Sequence, residues 1–128
     1  LRACRELARD LVNVNVTLIF SPAQAILAAK AGAKYVSPFV GRVDDNSFDG
    51  IDLVDQISDI YTIQNIRKTE ILAASVRDVK TVSDAFGAGA HVVTMPPSIL
   101  GKMYNHVLTD RGLYQFDIDW ANVKREVK

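Results

Sequence analysis

One segment, residues 13–24, most strongly limits the fold, because it predicts a strand that leads directly into a helix. Residues 13–20 read NVNVTLIF, and β-branched and aromatic residues of this kind favour a strand. Ser21 is a favourable N-cap, Pro22 suits the first helical position, and Gln24 completes a capping box. Polar groups at such a junction are typical of the active sites of βα enzymes.

The rest of the chain repeats this alternation of strands and helices. Strands are predicted at residues 13–20, 34–38, 70–74 and 91–94, helices at 1–10, 22–31, 51–65, 78–87 and 97–106 and after Gly112, and a polar loop at 41–50. Consecutive βα units imply parallel strands that are buried on both faces. Two architectures fit, namely an open flavodoxin-like sheet and half of an eight-fold βα barrel. The pattern alone favours the open sheet, because a half barrel leaves two strand edges bare.

Composition limits the class of protein. The chain has 128 residues and is 48% hydrophobic, which is enough for one buried core. Its 15 acidic and 15 basic residues balance, so no net field favours nucleic acid or an anionic membrane as a partner. No apolar run approaches the roughly 18 residues of a transmembrane helix. Cys4 is the single cysteine, which excludes an intrachain disulfide and indicates a cytoplasmic protein.

The start of the sequence predicts an incomplete domain. The chain begins at Leu1 within a predicted amphipathic helix, where a natural domain rarely begins. We therefore expect residues 1–128 to form a single partial domain.

Two arginines and two serines form the clearest candidate site. Ser37 and Ser75 lie at the ends of predicted strands, and Arg42 and Arg77 follow those ends. Guanidinium groups match phosphate in bidentate geometry, and the helix after Ser75 adds partial positive charge at its N-terminus. Spacing alone supports equally a phosphate site and a pair of surface arginines that bridge to Asp44, Asp45 or Asp78.

Asn15 and Thr17 form a second candidate pair. Residues i and i+2 of a strand share a face, so both side chains are predicted to point to the same side. The alternative is that they only fill a polar layer of the interior. A metal site is not expected, because His91 and His106 have no cysteine or carboxylate at ligand spacing.

Several motifs together resemble the transaldolase family over nearly the whole chain. They are residues 15–21 (NVTLIFS), 31–42 (AGAKYVSPFVGR), 73–77 (AASVR), 94–96 (TMP) and 116–120 (FDIDW). They are similar to the segments at the fifth to eighth strands of the family's barrel and to its C-terminal segment. The short connections resemble the compact branch, which includes fructose-6-phosphate aldolase-like proteins.

The resemblance reverses the preference between the two architectures. It implies an α/β fold that is the C-terminal half of a (β/α)8 TIM barrel, comprising strands five to eight and a C-terminal helix. The family's Schiff-base lysine lies on the fourth strand, its catalytic aspartate on the first and its acid/base glutamate on the third. The N-terminal half with these groups is then absent, and we expect the chain to be inactive alone.

The lysines of this chain do not suit the role of Schiff base. Lys34 and Lys68 precede predicted strands, at the opposite end from a barrel's substrate mouth. The other lysines fall on predicted outer helices or in the tail.

The resemblance also implies roles for the candidate residues. The family's phosphate site falls on Ser37, Arg42, Ser75 and Arg77. The matching asparagine, Asn15, binds a substrate hydroxyl.

Two further positions carry implied roles. The matching threonine, Thr17, helps to hold the catalytic water, which relays protons between the glutamate and the Schiff base. Phe39 lies in the substrate pocket, where transaldolases carry Phe and fructose-6-phosphate aldolases carry Tyr, so it favours a transaldolase.

The implied activity is transfer of a dihydroxyacetone unit between sugar phosphates in the pentose phosphate pathway, with no cofactor and no metal. The alternatives are a fructose-6-phosphate aldolase, which releases free dihydroxyacetone, and a non-catalytic phosphate-binding module. Because compact members commonly form decamers of pentameric rings, we expect a homo-oligomer or association with the missing N-terminal half.

Overall fold

Four short parallel strands form the central sheet in the computed structural model, which describes the backbone of residues 1–126 and the side chains of residues 1–123. The strands are β1 (Asn15–Ile19), β2 (Tyr35–Pro38), β3 (Glu70–Ala73) and β4 (Val92–Val93), and the helices are α1 (Arg2–Arg9), α2 (Pro22–Lys30), α3 (Val40–Asp44), α4 (Gly50–Ile63), α5 (Val79–Gly87), α6 (Pro97–Tyr104) and α7 (Val107–Glu126). The chain forms two compact units, of which the first, Leu1–Pro96, holds the sheet. The second begins at Pro97 and holds α6 and α7. That residues 1–128 are one partial domain stays a prediction.

The strand order distinguishes the two predicted architectures. The strands lie side by side in the order β1-β2-β3-β4, and all three pairings are parallel. A flavodoxin-like sheet has the order 2-1-3-4-5, with a reversal at its centre. The flavodoxin-like alternative is therefore wrong. The parallel α/β prediction is confirmed, and the sequential order is consistent with half of a (β/α)8 barrel. The assignment to strands five to eight stays a prediction.

The helices of the first unit pack on the sheet as a layer. Helix α2 packs on β1 and β2, α4 on β2 and β3, and α5 on β4, while α4 also contacts both α2 and α5. Residues that face this layer, such as Val36, Ile71 and Ala73, are fully buried. Those that alternate with them on β3, Glu70 and Leu72, are only half-buried. On β3, one face is therefore covered more completely than the other, which fits a barrel wall.

The predicted junction between β1 and α2 is confirmed in detail. The hydroxyl of Ser21 accepts a hydrogen bond from the backbone N–H of Gln24 at 3.3 Å. The Gln24 side chain accepts one in turn from the backbone N–H of Phe20 at 2.7 Å. Helix α2 ends before Gly32, whose φ of +92° is the left-handed conformation that glycine adopts readily. Local sequence therefore sets both ends of this helix.

Two predicted elements differ from the structure. Residues 41–50 are not simply a polar loop, because α3 forms within the segment from Val40 to Asp44. Val40 and Val43 are buried three residues apart on one side of this helix, and their burial outweighs the polar composition around them.

The last helix begins before its predicted position after Gly112. Helix α7 begins at Val107, so Gly112 lies inside it. An interior glycine costs about 1 kcal/mol relative to alanine, which a helix of 20 residues tolerates. No helix among residues 1–126 combines the length and the apolar character that a bilayer crossing requires.

Helix α4 supplies the centre of the core. Of the five apolar residues whose spacing predicts this helix, Leu53, Val54, Ile57 and Tyr61 are buried and Ile60 is half-buried. The Tyr61 hydroxyl donates a hydrogen bond to the backbone carbonyl of Ala25 at 2.8 Å, which ties α4 to α2. Burial disfavours the phenolate and raises the pKa of Tyr61 to about 12.

We expect alkaline pH to destabilise the fold through Tyr61. The unfolded chain releases this proton near pH 10 and the folded chain only near pH 12, so the free energy of unfolding falls between these values. Tyr61→Phe lacks this titration, so urea unfolding should show a smaller decline from pH 10 to 12. At neutral pH the variant should be about 1 kcal/mol less stable, because it lacks the hydrogen bond. Equal alkaline declines in the two proteins would contradict the assignment.

Candidate functional site

The carboxyl ends of β2 and β3 are joined beyond the strands themselves. Phe39 forms an isolated parallel bridge with Ala74. The N–H of Val40 donates to the Ala74 carbonyl at 3.0 Å, and the N–H of Ala74 donates to the Pro38 carbonyl at 2.9 Å. The segments that carry Arg42 and Arg77 therefore leave the sheet side by side, at its carboxyl edge.

Gly41 brings these two segments into close contact. A Cβ atom on Gly41 would lie 2.3 Å from the backbone oxygen of Ser75, too close for any side chain. The same position is 2.9 Å from Nε of Arg77 and 3.1 Å from the Ser75 hydroxyl oxygen. Glycine at this point lets the N-terminal turn of α3 pack directly on residues 75–77.

Arg77 forms a bidentate ion pair with Asp45, the residue that follows α3. Nη1 and Nη2 of Arg77 donate to Oδ1 and Oδ2 of Asp45, each at 2.6 Å, and both side chains are about half exposed. Hydrogen bonding by Arg77 lowers the pKa of Asp45, and the positive charge of Arg42 lowers it further. Asp45 is thus a common neighbour of the two arginines.

Arg42 lies over an aromatic ring. Its guanidinium carbon is 5.1 Å from the ring centre of Phe39, a distance at which cation–π attraction acts. The Phe39 ring in turn meets the Phe20 ring edge to face, with the ring centres 5.9 Å apart. Phe20 directly follows β1, so this stack connects the carboxyl ends of β1 and β2.

The structure places Arg42 and Arg77 at the same edge, but they border different cavities. Arg42 lines a cavity of about 580 Å³ together with Phe20 and Phe48. Arg77 lines one of about 470 Å³ with Ser75 and Thr94. Asp45 links the two arginines, because it pairs with Arg77 and lies close enough to Arg42 to feel its charge. It is one of the aspartates to which the surface arginines were expected to bridge if they form no phosphate site.

Ser37 and Asn15 are brought together by the pairing of β1 with β2. The Ser37 hydroxyl donates to the side-chain oxygen of Asn15 at 2.9 Å, and Ser37 is only 2% exposed. Thr17 is exposed on the edge strand β1. Within residues 1–123, no side-chain hydrogen bond joins Thr17 to another predicted site residue.

The backbone is strained at two places on the carboxyl edge. Leu18 has a φ of +58° and Ser75 a φ of +59°, which non-glycine residues rarely adopt. Leu18 lies in an irregularity of the β1–β2 pairing, where β1 contains one extra residue. The other non-glycine residues with positive φ follow the ends of helices, namely Leu11, Ser47 and Asn65. Strain of this kind concentrates at functional sites.

The helix after Ser75 differs from its predicted role. Helix α5 begins at Val79, and its N-cap is Asp78, whose carboxylate accepts from the backbone N–H of Thr81 at 2.8 Å. Hydrogen bonds from Thr81 lower the pKa of Asp78. The partial positive charge of this helix start is therefore met by its own carboxylate.

Sequence reasoning gave no role to Phe20 and treated Asp45 only as a possible bridge. Two features of the sequence point to them in retrospect. Phe20 is an aromatic residue directly after a strand, and Asp45 lies three residues after Arg42, the spacing of neighbours on a helix face. Over the described part of the chain, no group of three or more His, Cys, Asp or Glu side chains is placed to hold a metal ion.

Comparison with known proteins gives a family match and similar relatives. The model of the transaldolase/fructose-6-phosphate aldolase family matches residues 1–127. A probable transaldolase of Paracoccus denitrificans (strain Pd 1222) is 54% identical over 127 residues, which are 99% of this chain and 58% of that protein. One of Nitrosopumilus maritimus (strain SCM1) is 54% identical over 126 residues, covering 98% of this chain and 57% of the relative. The chain thus spans little more than half the length of these curated relatives.

Solved structures share the fold at low identity. A substituted flavocytochrome b2 with sulfite bound has a TM-score of 0.62 and 23% identity, over 73% of this chain and 26% of that chain. A mandelate oxidase variant with 2-hydroxy-phenylacetamide has a TM-score of 0.58 and 19% identity, over 73% and 28% of the two chains. At such identities the likeness concerns the fold alone.

We expect Gly41→Ala to disrupt the carboxyl edge, because its Cβ would collide with the backbone of Ser75. Thermal unfolding should show a loss of about 3 kcal/mol or more. The matched control is Gly87→Ala, which adds a methyl group where no atom lies within 4 Å and should gain up to about 1 kcal/mol. A Gly41→Ala variant as stable as the unmodified protein would refute the close packing.

Proposed function

Because the chain belongs to the transaldolase/fructose-6-phosphate aldolase family, we propose that it is the phosphate-binding half of a transaldolase. The proposed reaction transfers a dihydroxyacetone unit between sugar phosphates through a Schiff base on a lysine outside this chain. The relatives are named probable transaldolases and are nearly twice as long as the matched region, which supports a catalytic part elsewhere in the parent protein.

The observation that carries this proposal is the pair of guanidinium groups at one edge of a parallel sheet. Arg42 and Arg77 both act on the carboxylate of Asp45, so they share one electrostatic environment. In barrel enzymes the carboxyl ends of the strands form the substrate site. Arginine matches phosphate better than lysine does, because its planar fork presents several N–H donors in fixed directions.

The serines and the polar residues of β1 complete the proposed site. Ser75 lies beside Arg77 and donates its hydroxyl to the bound phosphate. Ser37 also belongs to the clamp, and its contact with Asn15 links the phosphate end of the site to the position that binds a substrate hydroxyl. Thr17 faces the part of the barrel that the missing half completes, where it holds the catalytic water.

Phe39 favours transfer over simple aldol cleavage. Its ring contacts Arg42 and the ring of Phe20, and it has no hydroxyl to assist proton transfer. The dihydroxyacetone unit then stays bound to the enzyme until a second sugar phosphate accepts it, instead of being released.

We place this activity in the cytoplasm and in an oligomer. The sheet has two edge strands, β1 and β4, and exposed edges favour pairing with other chains. The partner is the missing N-terminal half or further copies of the protein. The chain alone lacks the Schiff-base lysine and is inactive.

We expect Arg42→Ala and Arg77→Ala each to weaken binding of inorganic phosphate by roughly tenfold or more, because each removes charge-assisted hydrogen bonds. Isothermal titration calorimetry measures the effect. The matched control is Arg67→Ala, since Arg67 is exposed just before β3, at the opposite end of the sheet, and should leave phosphate affinity unchanged. Unchanged affinity in both clamp variants would remove the proposed site.

Reduction with borohydride in the presence of a ketose phosphate should trap the Schiff base in the parent protein. Mass spectrometry should find the adduct outside residues 1–128, because no lysine in this chain is expected to reach the substrate. An adduct on a lysine of this chain would contradict the proposal that the Schiff-base lysine lies outside residues 1–128. Release of free dihydroxyacetone without transfer to an aldose phosphate would favour the aldolase instead.

A further inference from the structure

Asp45 holds one edge of the Arg77 guanidinium and leaves another edge available. The carboxylate binds Nη1 and Nη2, which form the end of the planar group. Nε lies on the side of the group, 2.9 Å from the position that a Cβ on Gly41 would occupy, and the Ser75 hydroxyl oxygen is 3.1 Å from that same position. Within residues 1–123, no acceptor forms a hydrogen bond with this Nε. A guanidinium offers five N–H donors, so the pair with Asp45 does not exhaust it.

Arg77 also borders a cavity that Asp45 does not line. Arg77 and Ser75 line the cavity of about 470 Å³, together with residues that follow β4. Asp45 is not among the residues that line this cavity. The carboxylate therefore contacts the guanidinium from outside the space where an anion bound to Ser75 and Arg77 would lie.

Asp45 is itself fixed by α3. It is the C-cap of this helix, and its backbone N–H donates to the Gly41 carbonyl at 3.1 Å. Gly41 packs against the backbone of Ser75, so this one contact sets the positions of both Asp45 and Arg77. A long, half-exposed arginine side chain otherwise samples many rotamers, and ordering it costs conformational entropy.

We propose that Asp45 is a positioning residue of the phosphate site, which holds Arg77 by its end so that the Nε edge faces the anion beside Ser75. This inference rests on the proposed function, since it concerns the same clamp. Asp45 does not contact the anion. It acts through Arg77, by ordering the guanidinium before the anion binds.

The proposal predicts an effect opposite in sign to that of charge alone. Removing a negative charge beside two arginines raises the positive potential, which by itself tightens the binding of an anion. Asp45→Asn should instead weaken the binding of inorganic phosphate, roughly five- to twentyfold, because the loss of orientation outweighs the gain in potential. Asp45→Glu, which keeps a carboxylate, should retain more affinity than Asp45→Asn.

The charge-matched control is Asp44→Asn. Asp44 also acts electrostatically on Arg77, but its side chain accepts from the backbone N–H of Gly50 at 2.8 Å and forms no ion pair with Arg77. Asparagine keeps that acceptor oxygen. Asp44→Asn should therefore leave phosphate affinity unchanged or tighten it slightly.

A double-substitution cycle separates positioning from a general structural role. In the Arg77→Ala background, Asp45→Asn should no longer weaken phosphate binding, because there is no guanidinium left to orient. If Asp45 had a general structural role, Asp45→Asn would still weaken phosphate binding in that background. Circular dichroism and urea unfolding verify that each full-length variant is folded. If the Asp45→Asn variant does not fold, Asp45→Ser takes its place in the cycle.

The outcomes distinguish this inference from the proposed function. If Asp45→Asn binds phosphate as tightly as the unmodified protein or more tightly, or if Asp44→Asn weakens it equally, the positioning role is wrong. If the unmodified protein does not bind phosphate, or if Arg42→Ala and Arg77→Ala leave its affinity unchanged, the clamp itself is wrong and the positioning role with it. Loss of binding in Arg77→Ala with no effect of Asp45→Asn overturns only the positioning role of Asp45.

Discussion

The candidate site depends on one backbone contact, the packing of Gly41 against Ser75. The distance of 2.3 Å between a Cβ built on Gly41 and the Ser75 oxygen means that only glycine allows these segments to meet. On one side of the contact, α3 begins and presents Arg42 and Asp45. On the other side, Ser75 adopts a strained φ of +59° and directs the chain to Arg77. Together with the backbone hydrogen bonds between Val40 and Ala74, the contact keeps the segments that carry the two arginines side by side.

The same region balances its charges by contacts within the protein. Arg77 is paired with Asp45, Arg42 lies over the ring of Phe39, and Asp78 caps α5. The Arg77–Asp45 pair is at the surface, where ion pairs contribute little to stability. On the proposed function, the pair acts through orientation, since a fixed guanidinium loses less freedom when an anion binds to it.

Sequence patterns predicted the elements well where local chemistry decides them. The capping box at Ser21, the glycine after α2 and the apolar spacing of α4 all depend on residues within one or two turns, and the structure shows each of these features. The polar reading of residues 41–50 failed because Val40 and Val43 gain their burial from other segments of the chain. The late start predicted for α7 failed because a single glycine was given too much weight against a helix of 20 residues.

The sequence by itself determined the alternation of strands and helices, the family, and the positions of the arginines and serines after their strands. These features depend on short-range periodicity and on motifs that are contiguous in the chain. Only the tertiary structure decided that the strands lie in sequential order, and that Asp45, of the available aspartates, pairs with Arg77. That choice depends on where α3 ends relative to a residue 32 positions later, and no local pattern encodes such a distance.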